Sequence, residues 1–476
     1  MKNHKILILV LLGIILSFNA CKAPLLNQNI SDIRLPDRYG ESKDSISMAL
    51  KPWKTFFNDP YLIDLIENGL KNNQELNIIL QEIEISKNEV RDRKGEYLPF
   101  VGFKAGSGVE KVGRYTSQGA NDANTEILEG KEFPEPLNDY IVGLEASWEI
   151  DIWKKLRNSK KAAVSRYLSS IEGKHFMQTH LISEIAKSYY ELLGLDNELL
   201  IINQNIEIQK NALKVIEYQK LAAKTTELAV QRFKAEVYKT QSLLYEITQK
   251  ITETENKLNF LLGRIPQMIV RDSRIFNELT PIKMSKGIPA NLLENRPDIR
   301  AAQLNLEAQK LDVKVAKARF YPSLGISAGI GLQAFDTKYL SHRPESLIYH
   351  LVGDLAGPIL NRNAIKAQYL SANAKQLQSV ITYNSTVLNA FIEVSNLWSK
   401  IENMEQQYEL KSKEVEAMIA SVNISNKLFR SARADYMEVL LTQREALEAK
   451  FELVETKVIQ MNTFIELYKS LGGGWK

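Results

Sequence analysis

The feature that most constrains this chain is a proline followed by strict alternation of apolar and small or polar residues, and it occurs twice. After Pro99 the sequence reads FVGFKAGSGV, and after Pro322 it reads SLGISAGIGL. Side chains of a β-strand point alternately to its two faces, so each segment predicts a strand with one apolar and one polar face. Proline cannot continue a helix and favours extended backbone in the preceding residue, so Pro99 and Pro322 each predict a sharp change from helix to strand.

Each of these strands has a predicted partner further along the chain. The segment YIVGLEASWEIDIW (140–153) alternates most strictly, and LIYHLVGDLAGPI (347–359) repeats the pattern more weakly. A long polar loop, 111–139, is predicted to join the first pair, and a shorter loop the second. The polar faces of the two partner strands carry the titratable side chains Glu145, Glu149, Asp151, His350 and Asp354.

Long segments with apolar residues spaced three and four apart follow the predicted strands. Residues 447–468 carry seven such positions in succession, and 244–261 and 380–401 follow the same rule. This spacing is the heptad pattern of coiled coils. Residues 156–221 contain no proline, and a helix of about 65 residues would be roughly 100 Å long, far beyond a globular helix. The order of helix, strand, loop, strand and helical hairpin then occurs again, which predicts an internal two-fold repeat.

Lipid is the predicted cover of the apolar strand faces, because the helical seams are too narrow to cover them. An open sheet edge in a bilayer would leave N–H and C=O groups unpaired, so the sheet must close into a barrel. Four strands per chain are too few, since outer-membrane barrels have at least about eight. The pattern therefore predicts a transmembrane β-barrel shared between chains, with a polar lumen.

The N-terminus predicts a secretory signal peptide, residues 1–20. A basic start precedes an apolar run of 13 residues, 6–18, which is too short to span a bilayer. Cys21, the only cysteine of the chain, follows at the position of the acceptor cysteine in bacterial lipoproteins. Phe18 stands where such signals usually carry leucine, so a plain secretory signal with a chance cysteine stays open.

Five segments of the chain resemble outer-membrane efflux proteins of the TolC type, specifically the lipoprotein branch that serves resistance–nodulation–division pumps. The segments are PWKTFFNDPYLIDLI (52–66), LLGRIP (261–266), IPANLLENRPDIRAAQLNLEAQKLDVKVAKARFYPSL (288–324), LFRSARADYMEVLLTQREAL (428–447) and YKSLGGGW (468–475). The resemblance implies the fold class: an α+β membrane protein in which a homotrimer builds a β-barrel, four strands per chain, continuous with a long α-helical coiled-coil barrel in the periplasm.

The resemblance also gives the expected domain organisation, from the N-terminus to the C-terminus. The segments are a signal peptide (1–20), a lipid-anchored segment with the equatorial region (21–75), the first repeat (76–264), a connector (265–297), the second repeat (298–471) and a C-terminal tail (472–476).

The resemblance implies a gate at the periplasmic end of the tunnel, within the stretch 435–443. The usual aspartate of this family corresponds to Leu441 here, and Glu438, about one turn earlier, could supply an acidic ring instead. A hydrophobic gate at Met437 or Leu441 is the alternative. The turn of the second helical hairpin is expected near 432–434, and that of the first near 234–239.

Other chemistry is mostly excluded. The formal net charge of +4 is small for 476 residues, and no basic stripe interleaved with aromatic residues predicts nucleic-acid binding. His175 and His180 lack the His-Glu-x-x-His frame, so neither a metal site nor a cofactor is predicted. No nucleophile elbow, phosphate loop or cysteine pair occurs, so an enzyme is not expected.

The predicted function is the passive exit duct of a tripartite efflux system in the bacterial outer membrane, anchored by lipid, including palmitate, at Cys21. The resemblance implies a periplasmic adaptor (membrane fusion) protein and an inner-membrane resistance–nodulation–division pump as partners, and a role in multidrug resistance. Two alternatives stay open. One is the outer-membrane component of a type I protein secretion system, and the other is a periplasmic coiled-coil scaffold without a pore.

Overall fold

The computed structural model describes residues 24, 35–38, 51–279, 287–358, 361–431 and 433–475. The predicted signal peptide and Cys21 lie outside the described residues. The α-helices are α1 Trp53–Phe56, α2 Pro60–Asn72, α3 Gln74–Glu96, α4 Ser117–Asp122, α5 Lys155–Leu221, α6 Glu227–Leu261, α7 Asn291–Asn295, α8 Pro297–Ala318, α9 Asn363–Arg430 and α10 Tyr436–Ser470. The strands are β1 Phe100–Glu110, β2 Glu126–Leu128, β3 Lys131–Glu132, β4 Leu137–Ile150, β5 Ser323–Ala334 and β6 Leu347–Ala356.

The chain divides into two compact units. Among the described residues, the sheet unit is built mainly from Glu84–Leu168 and Leu304–Ile381, and the helical unit mainly from 51–83, Ser169–Gln303 and 382–475. Each unit draws segments from both predicted repeats, because the long helices α5 and α9 contribute residues to both units.

The sheet unit contains a four-stranded antiparallel sheet in the order β1-β4-β5-β6. All four predicted strands are present, and their register places like positions in rows across the sheet. One row on the apolar face reads Phe103, Leu144, Ile330 and Tyr349, and the adjacent row on the opposite face reads Gly102, Glu145, Gly329 and His350.

The change from helix to strand occurs at both predicted prolines. Helix α3 ends at Glu96 and β1 begins directly after Pro99, while α8 ends at Ala318 and β5 begins directly after Pro322. Two tryptophans from the end of β4 hold these segments. The indole of Trp148 donates to the Tyr97 carbonyl at 3.1 Å, and that of Trp153 donates to the Pro322 carbonyl at 2.7 Å.

The connection between β1 and β4 differs from the plain polar loop predicted for 111–139. It contains helix α4 and a small hairpin of β2 and β3. Thr116 caps α4 by accepting a hydrogen bond from the Gly119 N–H at 3.1 Å. The Arg114 guanidinium binds the Glu135 carboxylate at 3.0 Å, so this connection carries its own local order.

Two long helical hairpins supply most of the remaining structure. Helices α5 and α9 have 67 and 68 residues, and each is followed by a helix of 35 residues, α6 or α10. None of the described helices is apolar enough over sufficient length to cross a membrane.

The turn of the first hairpin was predicted wrongly at 234–239, which lie inside α6. The chain turns at 222–226 instead, where Ala223 adopts a positive φ of 55° and Thr226 accepts a hydrogen bond from the Ala229 N–H. A threonine cap can start a helix without glycine or proline, so no glycine or proline marks this turn in the sequence. The second turn, between α9 and α10, lies where the resemblance placed it.

The main core of the helical unit lies where α2, α5, α6 and α10 pack around residues such as Ile66, Ile185 and Leu258. The N-terminal segment joins this core: Phe56 stacks on Tyr468 with ring centroids 4.1 Å apart.

Candidate functional site

The polar face of the sheet is built on glycines that make room for titratable side chains. Glu145 lies between Gly102 and Gly329 in the register, and His350 lies beside Gly329. The His350 imidazole covers Gly329, since a Cβ added there would overlap the ring. Asp354 covers Gly325 in the same way, with its Oδ1 only 2.7 Å from the position of an added Cβ.

Two of the predicted carboxylates on this face form ion pairs. The Lys104 ammonium lies 2.9 Å from Glu145 Oε1, and the Lys155 ammonium lies 2.5 Å from Glu149 Oε1. The first pair is exposed and the second is half-buried. Ion pairs near the surface contribute only about 0–1 kcal/mol, so both set the polarity of the face more than its stability. Sequence reasoning missed both lysines as partners. Lys104 shares its strand face with Gly102, so the alternation of β1 could have indicated it.

The polar face is not polar throughout. Phe100 and Val352 lie in one row of this face with Ser147 and Ser327 between them. A cavity of about 170 Å³ opens beside Lys104, Glu145 and His350. The face can therefore offer charged groups and apolar contacts side by side.

Asp151 does not belong with the other predicted lining residues. It follows the last residue of β4, and its side chain is only 2% exposed. The carboxylate accepts hydrogen bonds from the backbone N–H of Leu156 at 3.1 Å and of Arg157 at 2.9 Å. It also binds the Arg157 guanidinium at 3.2 Å. Asp151 thus accepts hydrogen bonds from the backbone N–H groups of the first turn of α5, and this position buries its side chain. The prediction of Asp151 as a lumen residue is corrected accordingly.

The predicted gate residues lie in the first turns of α10, directly after the turn that ends α9. Glu438 and Leu441 are both exposed and lie three positions apart in the helix, so they share one face of α10. Val439 between them is buried against α6 residues such as Phe233, which fixes the rotation of this helix. The face with Glu438 and Leu441 is therefore left uncovered within one chain.

Met437 lies differently from the other two gate candidates. Its sulfur lies 2.7 Å from a guanidinium nitrogen of Arg232 on α6. This contact directs Met437 toward the neighbouring helix. The structure therefore brings Glu438 and Leu441 together on one exposed face and places Met437 at its edge.

The described part of the chain contains no group of three or more His, Cys, Asp or Glu side chains that could hold a metal ion. His175, one of the two histidines weighed in the sequence, instead stacks on Trp475 with ring centroids 4.6 Å apart.

The chain belongs to the outer membrane efflux protein family, whose sequence model matches residues 65–264 and 288–473. The family assigned from the sequence motifs is thereby confirmed, and with it the placement in the outer membrane.

Two curated proteins illustrate the range of its relatives. The chain is 27% identical over 441 residues to the solvent efflux pump outer membrane protein SrpC of Pseudomonas putida, covering 92% of this chain and 91% of that protein. It is 24% identical over 447 residues to the probable outer membrane lipoprotein SilC of Salmonella typhimurium, covering 93% of each.

Solved structures show the same fold. CusC matches with a TM-score of 0.81 at 22% identity, covering 95% of this chain and 99% of that chain. The open-state MtrE outer membrane channel of Neisseria gonorrhoeae matches with a TM-score of 0.82 at 21% identity, covering 96% and 98%.

Proposed function

We propose that this protein is the passive outer-membrane duct of a tripartite efflux system. In this proposal three copies form one channel, and a periplasmic adaptor and an inner-membrane pump of the resistance–nodulation–division class deliver small molecules to it. The observation that carries the proposal is the register of the sheet, which gathers apolar residues on one face and glycine, serine and charged residues on the other.

Exposure of the apolar face supports lipid as its cover. Phe103 is 71% exposed, Tyr349 79% and Leu351 77%, although they lie in the middle of their strands. Burial of one such side chain is worth about 1.5–3 kcal/mol, so a whole face left in water would be costly. A bilayer removes that cost without a second layer of protein.

The two edges of the sheet support a barrel made by several chains. Among the described strands, β1 pairs only with β4, and β6 pairs only with β5. Hydrocarbon cannot satisfy the remaining N–H and C=O groups, so β1 of one chain would pair with β6 of the next. Three chains with four strands each give a barrel of about twelve strands, within the range of outer-membrane barrels.

Glu438 and Leu441 are proposed as the gate at the periplasmic end. A three-fold ring of Glu438 would bring like charges together at the narrowest point, with a ring of Leu441 one turn further along. Such rings restrict passage by charge and by exclusion of water. Their common exposed face on α10 is the support for this proposal.

The relatives of this chain are named for different substrates: solvent, toluene, pyoverdine and cations. We propose small molecules in general, with selection made mainly by the pump. Lipid attachment at Cys21 is proposed in the same way, supported by the similarity to SilC.

The test is conductance of the detergent-purified protein in planar bilayers. Wild type is expected to give small and rarely open currents, which grow in Glu438→Ala and Leu441→Ala. Glu409→Ala, an exposed change far from the turn on α9, serves as the matched control and should leave the current unchanged.

Three outcomes separate the alternatives. A pore whose current does not change in either gate variant keeps the duct and rejects the gate. Protein that is soluble without detergent and gives no current in any variant would establish the scaffold without a pore. The third outcome comes from cells that lack such a channel and produce this protein. Restored export of a polypeptide in these cells, with no effect on small-molecule resistance, would favour the secretion component.

A further inference from the structure

A half-buried carboxylate lies where three helices of the helical unit meet. Helices α5, α6 and α10 pack together around a cluster with Ile202, Ile206 and Ile247 buried and Phe451 against them. Glu198 is on α5 within this junction, one turn before Ile202, and is not exposed. An acid among aliphatic side chains is unusual enough to require a reason.

Helices α5 and α10 approach each other closely beside Glu198. Gly194 lies one turn before it on α5, and a Cβ added at Gly194 would overlap Val458 Cγ2 and lie 3.7 Å from Val454 Cγ1 on α10. The two helices therefore have little room to adjust at this level unless they move apart.

The charges that face Glu198 come from both neighbouring helices. Glu246 and Lys250 face it from α6, and Glu455 faces it from α10. Lys250 is the cation of this group, and its ammonium already binds Glu246 at 2.9 Å. The net environment of Glu198 is thus apolar and acidic.

This environment disfavours the charged form of Glu198. Burial raises the pKa of the Glu198 carboxyl to about 7, and the like charges of Glu455 and Glu246 add to that effect while Lys250 opposes it. The ordinary value for glutamate is about 4.3, so Glu198 changes its charge in the neutral range where most carboxylates do not.

We propose that the junction of α5, α6 and α10 at Glu198 is a proton-operated switch, tight when Glu198 carries a proton and loosened when its carboxylate is charged. The neutral acid fits the apolar junction and permits the close contact at Gly194. The carboxylate requires water and is repelled by Glu455, and both effects favour separation of α5 from α10. In the proposed channel this would make the tunnel respond to pH, a consequence that rests on the proposed function.

Hydrogen exchange measured by mass spectrometry on the full-length protein in detergent tests the switch directly. Samples at about pH 5.5 and about pH 8.5 lie on either side of the transition, and exchange times are corrected for the intrinsic effect of pH. We expect peptides covering 194–202 and 451–458 of the wild type to exchange several-fold faster at the higher pH. Glu198→Gln, which keeps the shape but cannot ionise, should stay protected at both pH values.

Two further variants make the test specific. Glu191→Gln changes an exposed glutamate about two turns earlier on α5, and should keep the wild-type response. Glu455→Gln removes a like charge on α10 that raises the pKa of Glu198, so the transition should move to lower pH. Because the Glu198 carboxylate then meets less repulsion from α10, the loosening at about pH 8.5 should also be smaller than in the wild type.

The switch is rejected if corrected exchange of the wild type is the same at both pH values, or if Glu198→Gln keeps the full pH response. Hydrogen exchange does not depend on conductance. The exchange result would therefore stay valid if the channel proposal were rejected, and rejection of the switch would not affect the channel proposal.

Discussion

At the scale of single residues, the chemistry of a side chain depends on where its strand or helix ends. Glu145, Glu149 and Asp151 share one parity in the sequence, and alternation alone assigns all three to the same face. Strand β4 ends at Ile150, so the assignment holds for Glu145 and Glu149 and fails for Asp151. Lys154, with a positive φ of 59°, then turns the chain toward α5, whose first N–H groups require an acceptor.

Asp151→Ala tests this reading of the residue. Loss of the carboxylate leaves the N–H groups of Leu156 and Arg157 without their acceptor, and should lower the apparent free energy of unfolding by about 1–3 kcal/mol. Denaturant titration in detergent measures the change. Glu149→Ala, which removes only the half-buried ion pair with Lys155, is the control and should cost no more than about 1 kcal/mol. If Asp151→Ala altered ion selectivity while stability stayed at the wild-type value, Asp151 would be a lumen residue after all.

At the scale of elements, periodicity was sufficient to predict all four strands of the main sheet and the long helices. Apolar alternation and heptad spacing are properties of many residues together, so single departures such as Phe100 on the polar face do not hide them. Periodicity did not predict the helix starts that depend on one or two hydrogen bonds. Thr116 and Thr226 each start a helix by capping it, and neither has a periodic pattern around it to indicate the role.

Close contacts between the central strands β4 and β5 are predicted neither by apolar alternation nor by heptad spacing. Gly143 and Gly331 face each other across β4 and β5, and a Cβ added at Gly143 would lie 2.6 Å from the Ile330 carbonyl oxygen. The obstructing atoms are backbone, so they cannot turn aside as a flexible side chain would. Alternation predicts a small residue on this face, and only the register across two strands shows why glycine is needed.

Gly143→Ala should therefore force the two central strands apart. We expect a loss of about 1–3 kcal/mol in apparent stability, the usual range for overpacking, seen as a lower melting temperature of the detergent-solubilised protein. Gly353→Ala on β6 is the matched control, since nothing lies within 4 Å of a Cβ added there. Equal melting temperatures for the two variants would show that β4 and β5 are not held at this spacing.

At the scale of the whole molecule, apolar surface that one chain leaves uncovered indicates where further copies would pack. Tyr238 and Tyr245 lie two turns apart on one face of α6 and are 58% and 74% exposed. Their seven-residue spacing places them at equivalent positions of successive heptads, beside the buried seam of α6. A closed ring of identical chains needs two different complementary surfaces on each chain, and this exposed face of α6 can be one of them.

The double variant Tyr238→Glu, Tyr245→Glu tests that assignment. If the next copy covers this face, two buried charges would oppose association, and native mass spectrometry in detergent should show trimers replaced by monomers. Tyr115→Glu, a change at a fully exposed position before α4, is the control and should leave the trimer intact. Trimers that persist in the double variant would mean that this face of α6 meets water, and that the chains associate through other helices. In the proposed channel three chains close the edges of the sheet, so loss of the trimer should also abolish conductance, whereas the gate variants should raise it.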